Sequence, residues 1–372
     1  MVKKICILTS VHPVFDTRIF YKEAKTLAVA NYNVTIVAQH DKKESIDGIR
    51  IVPLPKSSNR LRRFIETDYL TFKKAFQQKA DVYHFHDPEL LPWAILLKKI
   101  KRVKIIYDIH ENVPKDILNK KWIPVHLRKS FFALYKKIER LLLPSVDWIV
   151  LAEDSYKEDY RYDNVSVIKN YTLIPKIIYK RNKSCWRSPR LVYAGSISER
   201  KGLFRMIEAV KEIKENFGDI NLKIIGKINE KTEIEAKKMI KNYHLEKEIH
   251  LKGRMLYSEI LNILKSSNIG INIPLPAPNC INSLPTKIFE YMTAKIPIII
   301  SDFPLWKKIV EENECGICIN PQNQNDFVDA VKYLINNPDE AKKMGENGRR
   351  AVIKNYSWER EGKKLLKIYE TI

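Results

Sequence analysis

Leu191-Val192-Tyr193-Ala194-Gly195-Ser196-Ile197-Ser198-Glu199-Arg200-Lys201-Gly202 opens as an apolar run and closes as a basic turn between glycines. Directly after it, Phe204, Ile207, Val210, Ile213 and Phe217 recur at helical spacing. A short β-favouring run, a turn and an amphipathic stretch make one strand–turn–helix unit. The unit repeats along the chain. Strands are predicted at Lys4–Thr9, Val34–Ala38, Val82–Phe85, Lys104–Tyr107, Trp148–Leu151 and Val165–Ile168. A second group is predicted at Leu191–Ala194, Leu222–Ile225, Ile249–Leu251, Gly270–Ile273, Pro297–Ile300 and Gly316–Ile319. Strand–helix–strand repetition predicts parallel sheets covered on both faces. The fold class is therefore α/β, with two doubly wound, Rossmann-like domains. They separate near Tyr179–Pro189, where Lys180-Arg181-Asn182-Lys183-Ser184 is polar and non-periodic. The length of 372 residues agrees, at roughly 150 residues per domain.

Composition narrows the function. Hydrophobic residues make up 45% and charged residues 30%, an ordinary globular balance that excludes a disordered chain. No apolar run reaches the length of about 18 residues that a spanning helix needs. The N-terminal apolar stretch is too short for a signal peptide. Five scattered cysteines suit a reducing compartment, so a cytoplasmic location is expected. The formal net charge is +22, which points to anionic partners: nucleotide phosphates, nucleic acid or an anionic membrane. The excess is concentrated, because residues 98–140 hold 13 basic and four acidic residues. No nucleic-acid recognition motif accompanies this stretch, so nucleic acid is not expected as a partner.

In doubly wound sheets, ligands bind beyond the C-terminal ends of the strands. In the second half, the Gly195–Gly202 turn leads into a helix N-terminus, and Arg200 and Lys201 add cations to an anion-favouring end. It is neither a Walker loop nor a dinucleotide turn. Further on, Asn279-Cys280-Ile281-Asn282-Ser283-Leu284-Pro285-Thr286-Lys287-Ile288-Phe289-Glu290-Tyr291-Met292 contains a helix start at Pro285 and Thr286. Lys287 and Glu290 lie three apart on one helix face. A helix N-terminus with a cation suits a diphosphate, and a carboxylate one turn along suits the paired hydroxyls of a ribose.

In the first half, polar clusters follow three strands. They are His12, Asp16, Thr17 and Arg18 after the first, His86, Asp87 and Glu89 after Val82–Phe85, and Asp108, His110 and Glu111 after Lys104–Tyr107. Histidine and carboxylate together could ligate zinc or manganese. Against a metal, no Asp-x-Asp pair is present to hold a metal–diphosphate, and lysine and arginine are abundant at the second-half strand ends. Neither a metal nor a cofactor is expected. Cys315-Gly316-Ile317-Cys318 is a lone pair in an apolar strand and reads as core.

Ser283 to Met292 resembles the donor-binding signature of glycosyltransferase family 4. Tyr193-Ala194-Gly195 through Arg200-Lys201-Gly202 resembles that family's diphosphate turn. Ile224-Ile225-Gly226 and Leu251-Lys252-Gly253-Arg254 are similar to its two intermediate strand ends, and Tyr356-Ser357-Trp358-Glu359 to the start of its last helix. The resemblance implies the GT-B fold, two domains facing a central cleft. It implies an acceptor domain over 1–180, a nucleotide-sugar domain over 181–355, and a C-terminal helix, 356–372, returning to the first domain. It implies retaining transfer of a sugar from a nucleotide diphosphate, expected to be a UDP-sugar, to a saccharide or lipid-linked saccharide in cell-surface polysaccharide synthesis.

The family resemblance also assigns residues. Catalytic candidates are His110, against the donor sugar, with Asn282 and Glu290. Donor-binding candidates are Gly195, Ser196, Arg200, Lys201, Gly226, Arg254, Pro285, Thr286, Lys287 and Glu290. Acceptor-side candidates are His12, Asp16, Thr17, Arg18, His86, Asp87, Glu89 and Glu111. Two positions depart from the family pattern. Asn282 stands where a glutamate is common, and Ser196 where arginine often follows the turn glycine. A sugar-nucleotide epimerase on the same fold is the alternative, and a nucleic-acid-binding protein a more distant one. A helix predicted from His126 to Leu143 carries Phe131, Phe132, Leu134, Tyr135, Ile138, Leu141 and Leu142 with Arg128, Lys129, Lys136, Lys137 and Arg140. Basic residues beside an apolar face suit peripheral attachment to the inner leaflet. The same apolar face could equally pack on the sheet.

Overall fold

The computed structural model describes residues 2–56, 66–110, 117, 124–175, 186 and 188–372. Two compact units are formed, one by Met1–Asn170 with Trp358–Ile372 and the other by Tyr171–Ser357. The boundary falls earlier than residue 180, because Tyr171 packs with the second unit: its ring lies 4.9 Å from Phe289 and 5.4 Å from Tyr356.

In the first unit the strands are β1 Lys4–Pro13, β2 Asn33–Gln39, β3 Glu44–Ile46, β4 Ile49–Leu54, β5 Val82–Phe85, β6 Lys104–Ile109, β7 Trp148–Leu151 and β8 Val165–Val167. They form one sheet in the order β3-β4-β2-β1-β5-β6-β7-β8. Every pairing is parallel except β3 with β4, where Glu44 faces Ile51 and Ile46 faces Ile49. The sequence reading did not include β3 or β4. Its available signal was Asp47-Gly48, two residues of positive φ (51° and 77°) that make the tight hairpin turn. The last helix, Trp358–Thr371, docks on this unit. Trp358 Nε1 donates to Thr26 Oγ1 at 2.8 Å, and the buried Glu361 accepts from the Lys169 amide at 2.9 Å.

The second unit contains β9 Arg190–Ala194, β10 Asn221–Ile225, β11 Ile249–Lys252, β12 Ile269–Asn272, β13 Ile298–Ser301 and β14 Gly316–Ile319. All run parallel, in the order β11-β10-β9-β12-β13-β14. Alternation along β9 builds the core on both faces. Leu191 and Tyr193 join one buried cluster with Met206, Ile207 and Val210, while Val192 and Ala194 join the other with Ile288, Tyr291 and Ile300. Cys315 is buried in that second cluster and Cys318 packs against it.

Each strand order reverses direction once, between β1 and β5 and between β9 and β12. At such a switch point neighbouring connections leave the sheet on opposite faces, and a crevice opens beyond the strand ends. The polar clusters singled out in the sequence lie at the ends of β1, β5 and the adjoining β6 in the first unit, and after β9 and β12 in the second.

Candidate active-site residues in each unit

In the second unit, the turn after β9 and the helix Thr286–Thr293 are pinned together. The Gly195 amide donates to Ile225 O at 2.8 Å, and Tyr291 Oη accepts from the Ala194 amide at 2.9 Å. The helix begins at Thr286 with Pro285 before it and no side-chain cap; the Ile288 amide donates to Pro285 O at 3.2 Å, while the Thr286 and Lys287 amides have no intrahelical acceptor. Lys287 extends back beneath the turn. Its Nζ sits 4.2 Å from the Tyr193 ring centroid and occupies the space beside Gly195. Gly195 has φ 148° and Gly226 φ 147°, and a Cβ on Gly226 would overlap the Gly195 carbonyl. Only glycines let the two strand ends approach this closely.

Two lysines converge here. Lys201 Nζ lies 3.4 Å from Cys280 Sγ, on the short helix Pro278–Ile281. Burial, then the charge of Lys201, lowers the Lys287 ammonium to about pKa 7, with Glu290 working in the opposite direction. A buried lysine whose charge a second lysine disfavours is complementary to an anion. Ser196, Arg200, Arg254 and Asn282 are exposed, and Glu290 is half-buried on the same helix as Lys287. The donor-binding candidates of the sequence reading therefore lie on the ends of β9, β10 and β11, on the β9 turn, or in the segment after β12.

The first unit differs from its sequence reading. His12 is one-third exposed, and Asp16 caps the turn beginning at Thr17 by accepting from the Arg18 and Ile19 amides at 2.8 and 3.1 Å. Arg18, expected to face a ligand anion, is only 4% exposed. Its guanidinium contacts Asp108 at 2.6 Å and Glu23 at 2.9 Å, and donates to Ile168 O. Asp87 and His86, expected on the acceptor side, are also buried. Asp87 Oδ2 accepts from Thr9 Oγ1 and the Ser10 amide at 2.8 and 2.7 Å, so it clamps the β1 loop. Glu89 is half-buried, and Glu111 lies outside the described residues.

His110 remains partly exposed at 19%. It belongs to a stack of three imidazoles that periodicity could not reveal. His84 and His86 have centroids 4.7 Å apart, His86 and His110 4.8 Å, and all are near-parallel. Glu23, His84, His86 and Asp108 bring one donor atom each to within 4.8 Å of one another, close enough for an ion. Arg18 bridges the two carboxylates and supplies the positive charge they need. Burial opposes the Asp108 carboxylate, but Arg18 and His110 outweigh it and hold it well below the usual range. Glu23 goes the other way, raised by burial and by Asp108, and burial lowers His84 and His86.

Two doubly wound units, with anion-complementary strand ends in one and a histidine stack in the other, define a protein of the GT-B type. The solved structures agree in fold. Sucrose-phosphate synthase from Thermosynechococcus elongatus superposes with a TM-score of 0.76 at 16% identity, covering 99% of this chain and 98% of that one. Anabaena HepE, solved in complex with UDP and glucose, gives 0.74 at 12% identity with both chains fully covered. The profile "Glycosyltransferase Family 4" matches residues 17–171, and "Glycosyl transferases group 1" matches residues 180–351. The chain belongs to glycosyltransferase family 4. Alpha-D-kanosaminyltransferase of Streptomyces kanamyceticus is 26% identical over 184 residues, 50% of this chain and 46% of that protein. The chain thus matches about half the length of such curated relatives.

Proposed function

We propose that the protein is a retaining glycosyltransferase that moves a sugar from a nucleoside diphosphate, most simply UDP, to a saccharide or lipid-linked saccharide of a surface polysaccharide. The observation that carries this reading is the convergence of Lys201, Lys287 and the Thr286 helix N-terminus on the Gly195 turn. Preorganised cations and amides stabilise the charge that grows on a departing diphosphate. Arg200 adds a third cation at the rim. Glu290 accepts from the ribose hydroxyls, and Asn282 offers hydrogen bonds to the sugar. The family resemblance assigns His110 to the donor sugar. The acceptor oxygen forms a bond to the anomeric carbon while the bond to phosphate breaks, and the leaving phosphate oxygen takes the acceptor proton. Lysine and amide charge serve the diphosphate, so no divalent metal and no cofactor enter the scheme. A nucleotide-sugar panel read by thermal shift tests it. One nucleotide family should raise the melting temperature, and no shift from any member would refute it.

The helix Val125–Leu142 supports attachment to an anionic membrane. Leu127, Phe131, Leu134, Ile138 and Leu141, spaced 4-3-4-3, form one stripe and are 40–78% exposed. The helix packs inward through another line instead, with Glu139 buried and Leu142 against the core. The stripe lies off this packed line. Leu96 and Ile100 of the adjoining helix Leu91–Lys101 are exposed as well, beside Lys99 and Arg102. Lys129, Lys137 and Arg140 flank the stripe. Apolar and basic residues together suit an anionic leaflet better than water, at about 1 kcal/mol per near-surface cation plus the buried apolar area. Among the described residues, no helix is long and apolar enough to cross a membrane.

A further inference from the structure

We propose that Glu23 is a positioning residue: as a neutral acid it fixes, through His86, the Nδ1–H tautomer of His110 and keeps that ring uncharged beside the sugar. The chain of contacts is short. His86 Nδ1 and His110 Nε2 share a hydrogen bond at 2.9 Å, whose direction depends on the tautomers. At its far ends, His110 Nδ1 stands 2.8 Å from Asp108 Oδ1, and His86 Nε2 stands 3.3 Å from Glu23 Oε2.

The proton positions follow one from another. Asp108, held by Arg18, is ionised, so a bare Nδ1 lone pair 2.8 Å away would be repelled, and Nδ1 of His110 carries hydrogen. With His110 neutral, as proposed, its Nε2 is bare and accepts from His86 Nδ1–H. That leaves His86 Nε2 bare, and it needs a donor. Its neighbour is Glu23, whose carboxyl is wholly buried beside Arg18 and Asp108, with Oε2 3.3 Å from that nitrogen. A protonated Glu23 supplies the hydrogen and still presents its other oxygen to Arg18 Nε at 2.9 Å. The raised carboxyl of Glu23 and the lowered His86 agree with this assignment.

Other nearby groups fit the arrangement. His84 Nδ1 pairs with Tyr369 Oη at 2.8 Å, and its Nε2 lies 3.8 Å from Asp108 Oδ2. His12 meets the edge of the His110 ring, centroids 5.8 Å apart. Moving one proton from Glu23 to His86 Nε2, and one from His86 Nδ1 to His110 Nε2, would conserve charge overall. It would also leave an imidazolium on His110, stacked on His86 and facing a sugar whose transition state is itself cationic. A neutral Glu23 disfavours that state.

The functional half of this inference rests on His110 as the sugar-side residue, whereas the tautomer can be read without any substrate. Long-range proton–nitrogen NMR at neutral pH, with His110→Gln to assign the signal, should show His110 as the Nδ1–H tautomer. Glu23→Gln mimics the neutral acid, donating to His86 and accepting from Arg18. It should preserve both the tautomer and at least half the transfer rate. Glu23→Met should mix the tautomers and cut transfer at least tenfold. A His110 imidazolium or Nε2–H form in the wild type would overturn the proposal. So would loss of the tautomer in Glu23→Gln, or one equivalent of tightly bound divalent metal in the purified protein. If instead His110→Gln transfers sugar at the wild-type rate while the tautomers are as expected, the role of His110 fails and the proton assignment stands.

Discussion

The ammonium of Lys287 occupies the space that a side chain on Gly195 would take: a Cβ built there meets Nζ at 2.5 Å and Cε at 3.0 Å. The glycine and the lysine thus form one device, a turn kept bare so that a cation can lie beneath it. Gly195→Ala would push the flexible amine aside and strain a backbone at φ 148°, at a cost of about 1–3 kcal/mol. The expected result is a folded protein whose UDP affinity falls at least tenfold by calorimetry. Unchanged affinity would separate the turn from the diphosphate.

Binding should take up protons. Lys287 titrates near 7 in the free protein because of burial and Lys201, and a bound diphosphate favours its charged form. UDP affinity should therefore weaken as pH rises above about 7. Calorimetry in buffers of different ionisation enthalpy should show proton uptake near pH 8, and Lys287→Met should abolish it. In the unliganded protein the same lowered value makes stability rise with pH between about 7 and 10.5, because there the unfolded chain holds the extra proton.

Lys201→Ala and Lys287→Ala should weaken UDP much more than uridine. Glu290→Ala should weaken both, by about 1.5–3 kcal/mol, the scale of a lost charged hydrogen bond. Equal losses for the two ligands in the lysine variants would place these amines away from phosphate.

Glu139 gives the first unit a pH signature. Burial raises its carboxyl to about 7, while Tyr160 and Tyr135 act to lower it. The folded state then binds a proton that the unfolded state has already lost, so stability falls as pH rises from about 4.5 to beyond 7. Glu139→Gln should flatten that slope in denaturant titrations. A slope identical to the wild type would mean that Glu139 is ionised in the folded state.

Vesicle binding separates the basic and the apolar parts of the Val125–Leu142 helix. Reversing Lys129, Lys136 and Lys137 to Glu should remove the salt-sensitive part of binding to anionic vesicles. Replacing Phe131, Leu134 and Ile138 by Ser should remove the part that survives moderate salt. Co-sedimentation unaffected by both sets would refute membrane attachment and leave the transferase reading untouched.

Much of the second unit was legible from the residues. Pro285-Thr286 announced a helix start, and glycines at 195 and 226 marked strand ends, whose close approach only the structure shows. The first unit was less legible because burial is a tertiary property. Arg18 and Asp87 look like ligand contacts in a linear reading, since a charged residue beyond a strand is usually solvated. Here Glu23, eleven residues beyond His12 and on no strand end, turns Arg18 inward and completes the cluster. The exposed stripe of Val125–Leu142 was hidden for the opposite reason. Its sequence is apolar around much of the helix, and only packing shows which line is left out.

The central claim is transfer from a nucleotide sugar at the Gly195–Lys287 site without a metal. The most direct measurement is transfer of labelled sugar from the donor that stabilises the protein to a lipid-linked saccharide in EDTA, with the product anomer read by NMR. The account predicts acceptor-dependent product with the donor's anomeric configuration, and loss of transfer in Lys287→Ala. Epimerised or hydrolysed donor in the absence of acceptor, or transfer restored only by magnesium or manganese, would contradict it.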